Sequence, residues 1–105
     1  MHTPRESALK ASVLKHLSVA YPTAVVRKRH GTVYTLAGDP DVYLLAGGVH
    51  IELELKRPGE SATPLQLFRL REWEKAGAYT AVIHTIGELQ SFLAGLVADG
   101  VLPGL

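Results

Sequence analysis

The chain has 105 residues, of which 47% are hydrophobic and 20% charged, with no cysteine and a formal net charge of +1. That length holds one core and not two, the composition is too apolar and too evenly charged for a disordered chain, and no apolar run reaches the roughly 18–20 residues of a membrane span. The lack of cysteine excludes disulfide frameworks, thiolate zinc sites and thiol catalysis, and with a charged start at Met1 to Lys10 the expectation is a cytoplasmic single-domain protein with no secretory leader.

The first element is a helix. Thr3-Pro4-Arg5-Glu6 sets threonine at an N-cap, proline at the first helical position and glutamate at the third, and Leu9, Val13, Leu14 and Leu17 recur at helical spacing until Tyr21-Pro22. From Ala24 to Leu36 the chain turns β-branched and aromatic around His30-Gly31, which predicts a hairpin or two short strands. Gly38-Asp39-Pro40 is a turn cluster, Asp41 to Leu45 reads as a strand, and Ala46-Gly47-Gly48 as a second turn. Val49 to Lys56 alternates strictly, with Val49, Ile51, Leu53 and Leu55 on one face and His50, Glu52, Glu54 and Lys56 on the other.

Arg57-Pro58-Gly59 ends that strand, and Thr63-Pro64-Leu65-Gln66 repeats the capping pattern for a second helix that runs to Lys75 and stops at Gly77. Ala78 to His84 predicts a short strand, and Thr85-Ile86-Gly87-Glu88 opens a third helix with Leu89, Phe92, Leu93, Leu96 and Val97 along one stripe. The last strand is reached through a crossover helix and is expected to pair in parallel. The fold class is therefore α/β, a mixed sheet flanked by helices in the order α-β-β-β-α-β-α.

Charge is unevenly placed. Residues 1–35 hold six basic side chains against one acid, whereas residues 36–105 hold five against nine. The basic run Arg27-Lys28-Arg29 suits phosphate contacts, with Arg27 and Arg29 on one strand face and Lys28 on the other; an ordinary solvated surface is the alternative. Lys10, Lys15, Arg69 and Arg71 stand open to the same two readings.

In an antiparallel pairing across Ala46-Gly47-Gly48, the start of one strand meets the end of the next, so Asp41 lies near Glu54 and Lys56. Glu54 and Lys56 share a face about 6.8 Å apart. Two carboxylates converging on one point offer a hard-cation site of the Mg²⁺ kind, completed by a backbone carbonyl and waters, and a neighbouring lysine can orient an attacking water. Taken pair by pair, a same-face ion pair and a turn-capping aspartate explain these residues as well. Glu6 lies in the helical sector of Leu9, Val13 and Leu17, and Gln66 in that of Leu70 and Trp73; both also occupy N3 capping positions, so capping and a site role stay open for each. The histidines lack metal-ligand spacing, although His50 shares the face of Glu54.

Glu6 on an opening helix, Gly38-Asp39-Pro40-Asp41, Glu54-Leu55-Lys56 thirteen residues after the aspartate, Arg57-Pro58-Gly59, and Gln66 on the following helix together resemble the VRR-Nuc branch of the PD-(D/E)xK nuclease superfamily. The resemblance spans about Glu6 to Leu93. It implies a restriction-endonuclease-like core and a DNA-hydrolysing endonuclease dependent on Mg²⁺, with Mn²⁺ able to substitute. Asp41, Glu54 and the Leu55 carbonyl would hold the metal. Lys56 would act on the attacking water, Glu6 would orient water or a second ion, and Gln66 would align the lysine or the phosphate. Relatives of this minimal size imply a homodimer selective for branched DNA such as four-way junctions. A non-catalytic nucleic-acid-binding or assembly module on the same fold is the alternative.

Overall fold

In the computed structural model, which describes residues 6–30 and 35–104, the chain runs through α1 (Glu6–Ala20), β1 (Val25–Lys28), β2 (Val42–Ala46), β3 (Val49–Leu55), α2 (Pro64–Lys75), β4 (Tyr79–Ile83) and α3 (Ile86–Ala98). The strands form one sheet in the order β1-β2-β3-β4. The first two pairings are antiparallel and β3 pairs with β4 in parallel, as a helical crossover through α2 demands. Gly47 and Gly48 both adopt positive φ, 55° and 82°, which a two-residue hairpin turn needs at both central positions. That turn sets Ala46 opposite Val49 and Val42 opposite Leu53, and so fixes which side chains of β2 and β3 share a face.

One face is apolar. Val42, Leu44, Ala46, Ile51, Leu53, Leu55 and Ile83 meet Val13, Leu17 and Tyr21 of α1 and Leu89, Leu93 and Leu96 of α3 in a single buried cluster. Each fully buried leucine contributes about 1.5–3 kcal/mol relative to exposure, so this layer supplies most of the driving force for the fold. The crossover helix α2 covers the opposite face, with Leu70 buried beneath it. Strand β3 is consequently flanked by strands on both edges and covered on both faces, and Glu52 and Glu54 are buried along with its leucines.

The expected boundaries shift by a residue or two. The strand expected from Asp41 begins at Val42, and the hairpin or strand pair expected over Ala24–Leu36 is represented among the described residues by β1 alone. The Thr3-Pro4 cap, and Gly31 to Tyr34 of the expected hairpin, lie outside the described residues. Thr63 and Thr85 cap α2 and α3 as expected, each accepting from the backbone amide three residues on. Among the described residues no helix is long and apolar enough to cross a membrane.

His84 ties three elements together at the end of β4. Its Nδ1 lies 2.9 Å from a Glu88 oxygen on α3, and its Nε2 lies 2.7 Å from the carbonyl of Glu60 in the loop after β3. Both partners are acceptors, so both ring nitrogens donate only when the ring is an imidazolium. The Glu88 hydrogen bond, seconded by that of Glu60, holds the His84 pKa above its ordinary 6.5. Hydrogen bonds from His84 hold Glu88 below its ordinary 4.5. A raised histidine contributes stability that is full below the unfolded value and is lost as pH rises through the folded one; a lowered carboxylate contributes above its unfolded value and loses this as pH falls. The pair therefore contributes most between those two ordinary values. In urea unfolding, His84→Gln is expected to be less stable than wild type at pH 6 and to converge with it at pH 9. A stability difference that does not change with pH would contradict the imidazolium assignment.

Candidate active site

The hairpin register delivers the acidic residues. The paired register ends at Val42–Leu53, and Asp41 and Glu54 are the next residues along their two strands. The Asp41 amide donates to the Leu53 carbonyl at 3.0 Å, and the Leu55 amide donates to Asp41 Oδ2 at 2.8 Å. The second bond orients the carboxylate and leaves Oδ1 outside it. Glu54 is 2% exposed on the same face. The Lys56 amide continues the pairing to the Ile83 carbonyl at 3.0 Å, which puts the lysine side chain on the Glu54 side at the carboxyl end of β3. Asp41, Glu54, Leu55 and Lys56 are thus gathered at one end of two adjacent strands.

The other expected site residues are placed differently. Glu6 is the first residue of α1, and its side chain lies outside the described part of the structure. Gln66 completes a capping box: its Oε1 accepts from the Thr63 amide at 2.8 Å while Thr63 Oγ1 accepts from the Gln66 amide at 3.2 Å. The box occupies the carbonyl oxygen of the Gln66 side chain, and its NH₂ group is not part of it. Arg27 and Lys28 are exposed on opposite faces of β1, and Arg27 donates to the neighbouring Val26 carbonyl. Arg29 turns inward.

That inward turn exposes a residue the sequence reading did not single out. Glu52 is 0% exposed, and both of its oxygens meet the guanidinium of Arg29, at 2.5 and 3.0 Å. His50 Nε2 approaches the same carboxylate at 2.6 Å. Above this fork the His50 ring stacks on Trp73 of α2 at 5.0 Å and on Tyr43 at 6.0 Å. The Arg29 guanidinium lies over both Tyr43 and Trp73, 4.8 and 5.0 Å from their ring centres. Burial works against the charge on Arg29, but the hydrogen bonds and charge of Glu52 outweigh it and hold the guanidinium pKa above its ordinary value. The signal for this cluster was an acid at the middle of the strand that the order of elements places between its neighbours. A strand under a crossover helix has no solvated face, so such an acid needs a cationic partner.

A cleft of about 370 Å³ runs along Ala37 to Asp41, with Arg29 and His30 on its other wall. A larger depression, of about 600 Å³, lies at the far end of β3 beside Gly48, His50, Gly77 and Tyr79, but no carboxylate lines it. The smaller cleft is the acidic one: Asp39 and Asp41 line it, while Glu54 lies on the neighbouring strand and is not among its lining residues. Among the described residues no group of three or more His, Asp or Glu side chains converges. Mg²⁺ suits such a sparse set, since it keeps several waters and takes one or two carboxylates.

Solved structures share this arrangement of elements. One described as a "VRR_NUC domain" aligns with a TM-score of 0.72 at 19% identity, covering 88% of this chain and 97% of that one. Another, a "VRR_NUC domain protein", aligns with a TM-score of 0.69 at 17% identity, covering 93% and 92%. No protein-family model matches the sequence, and no curated protein matches it significantly. The chain has the VRR_NUC nuclease fold over nearly its whole length, as the resemblance of its motifs implies.

The Glu52–Arg29 fork gives a stability prediction. Glu52→Ala strands a half-buried guanidinium and is expected to cost about 3 kcal/mol, the lower end of the range for breaking a buried pair, because the Arg29 side chain keeps 19% exposure. Glu60→Ala, which removes the exposed partner of Arg57, is expected to shift the urea midpoint far less. Equal midpoint shifts would show that burial does not distinguish the two pairs.

Proposed function

We propose that the chain is a VRR-Nuc endonuclease that hydrolyses DNA phosphodiester bonds with the help of Mg²⁺ or Mn²⁺. The observation that supports this most is the Leu55 amide donating to the Asp41 carboxylate, which ties Asp41 to the Glu54-Leu55-Lys56 end of β3. Asp41 and Glu54 would hold the metal, with the Leu55 carbonyl as a further donor. A bound divalent ion supplies Lewis-acid polarisation of the phosphate and stabilises charge on the leaving oxygen.

The chain's own groups account for the rest. Burial of Glu54 keeps its carboxylate in a low-dielectric setting, where its attraction for a cation is stronger than in water. The ammonium of Lys56 orients the attacking water and offsets the charge that builds on the phosphoryl oxygens. Water attacks phosphorus, the bond to the 3′-oxygen breaks, and the products carry a 5′-phosphate and a 3′-hydroxyl. In this reading Glu6 places a water or second ion, and Gln66 uses its amide NH₂ toward the phosphate or Lys56. Arg27 and Lys28 meet the DNA backbone, as basic side chains on an edge strand can.

Selectivity for branched DNA and action as a homodimer belong to the same proposal, and so does a cytoplasmic setting. The dimer is supported by the small core of so short a chain and by the exposed Val25 and Leu45 on neighbouring strands at the β1 edge. Two sites on one dimer suit paired cuts across a junction.

Purified protein is expected to cleave a four-way junction faster than linear duplex or single-stranded DNA in Mg²⁺ or Mn²⁺, and to cleave nothing in EDTA. Asp41→Asn and Lys56→Ala are expected to lower the rate by roughly 10²-fold or more with unchanged circular dichroism. Cleavage at the wild-type rate by either variant would overturn the site. Salt-sensitive DNA binding without cleavage in any metal would favour the non-catalytic module.

A further inference from the structure

We infer that Arg29 and Glu52 are positioning residues for the carboxylate of Asp41. The inference rests on the nuclease reading above, and it gives Arg29 a different task from the phosphate contact its sequence neighbourhood suggests.

Asp41 arrives at the end of a segment, Leu36 to Pro40, that has no helix or strand to hold it. Side chains from two other elements hold it instead. Arg69 Nε of α2 donates to the Ala37 carbonyl at 3.0 Å, and Trp73 Nε1 donates to Asp39 Oδ1 at 3.3 Å. Gly38, at φ 82°, sits so close to α2 that a Cβ there would lie 2.6 Å from Leu65 Cγ. Nearest the site, Arg29 NH1 donates to the Pro40 carbonyl at 2.8 Å, and the Arg29 amide donates to the Asp41 carbonyl at 2.8 Å. Arg29 therefore grips the main chain on both sides of the Asp41 Cα.

A guanidinium can do this only if it is itself held still. Its fork with Glu52 fixes its plane, and it lies against both the Tyr43 and Trp73 rings. Glu52 lies two residues before Glu54 on β3, the strand that carries the other proposed ligand. One rigid strand thus sets Glu54 directly and holds Asp41 in two ways, by its own Leu53 and Leu55 main-chain bonds and through Glu52, Arg29 and the Pro40 carbonyl. The second route fixes the main chain from which the Asp41 carboxylate projects. A buried ion pair is weak grounds for stability, since desolvation offsets much of its attraction. Orientation of a ligand-bearing loop is a role that such a pair fulfils well.

The test is Mn²⁺ affinity, by calorimetry, of the metal-free wild type, Asp41→Asn, Arg29→Lys, Glu52→Gln and Leu96→Ala. Leu96→Ala serves as a purely structural lesion in the opposite core. Arg29→Lys keeps the charge opposite Glu52 but, as a point donor, cannot serve both carboxylate oxygens and the Pro40 carbonyl in one plane; it carries the test if Glu52→Gln does not fold. Arg29→Lys and Glu52→Gln are expected to bind Mn²⁺ roughly 10–100-fold more weakly than wild type, while Leu96→Ala lowers the unfolding midpoint and keeps wild-type affinity. On junction DNA the two variants are expected to lose kcat with KM little changed, whereas loss of a phosphate contact would raise KM. Mn²⁺ affinity within about twofold of wild type in Arg29→Lys and in any folded Glu52→Gln would overturn the inference. If wild type binds no Mn²⁺, or Asp41→Asn binds it as tightly, the nuclease site falls first and this inference with it.

Discussion

Strand β3 has no solvated side, and it carries two glutamates into the interior. A carboxylate there is tolerated only with a compensating cation or a full set of donors. Glu52 meets this constraint with the Arg29 fork and the His50 ring, and that requirement draws β1, the Pro40 carbonyl and the Trp73 face of α2 into one contact set. Glu54, two residues further along, is buried near the end of β3, next to the Leu55 amide that bonds Asp41. The same burial that makes these acids costly in a bare core makes one of them a structural anchor and, in the proposed function, the other a strong ligand for a cation.

The division of labour follows from the two sheet faces. The face under α1 and α3 is continuous hydrocarbon and provides the stability; the face under α2 is polar, aromatic and specific. The hairpin glycines couple them, because a one-residue slip of β3 against β2 would turn Glu54 into the hydrocarbon layer and Leu53 under α2, leaving Asp41 and Glu54 on opposite faces. The small Gly47-Gly48 turn is therefore as much a determinant of the site as the acids themselves.

Much of this was readable from residue order alone. Alternation in Val49 to Lys56, the double glycine, the Thr63 and Thr85 caps and the crossover helix define the sheet, its one parallel pairing and the placing of Asp41 and Glu54 at the same end of adjacent strands. What escaped has a common physical cause. Period-two patterning tells which side chains share a face but not whether a helix will cover that face, so Glu52 stood only as one of the alternating polar residues of that strand. Arg29 read as part of a basic run because its partner lies 23 residues away in sequence. Gln66 carried two readings from the start, and its capping bond is present without deciding the other. Of the β-branched stretch Ala24–Leu36, β1 forms, and Gly31 to Tyr34 lie outside the described residues.

Crystals soaked in Mn²⁺ and measured at the manganese absorption edge test the central claim most directly. The account predicts an anomalous peak ligated by carboxylate oxygens of Asp41 and Glu54 and by the Leu55 carbonyl, with Lys56 beside it. A fully loaded crystal with its manganese elsewhere, or with the Asp41 and Glu54 carboxylates turned away from each other, would contradict it.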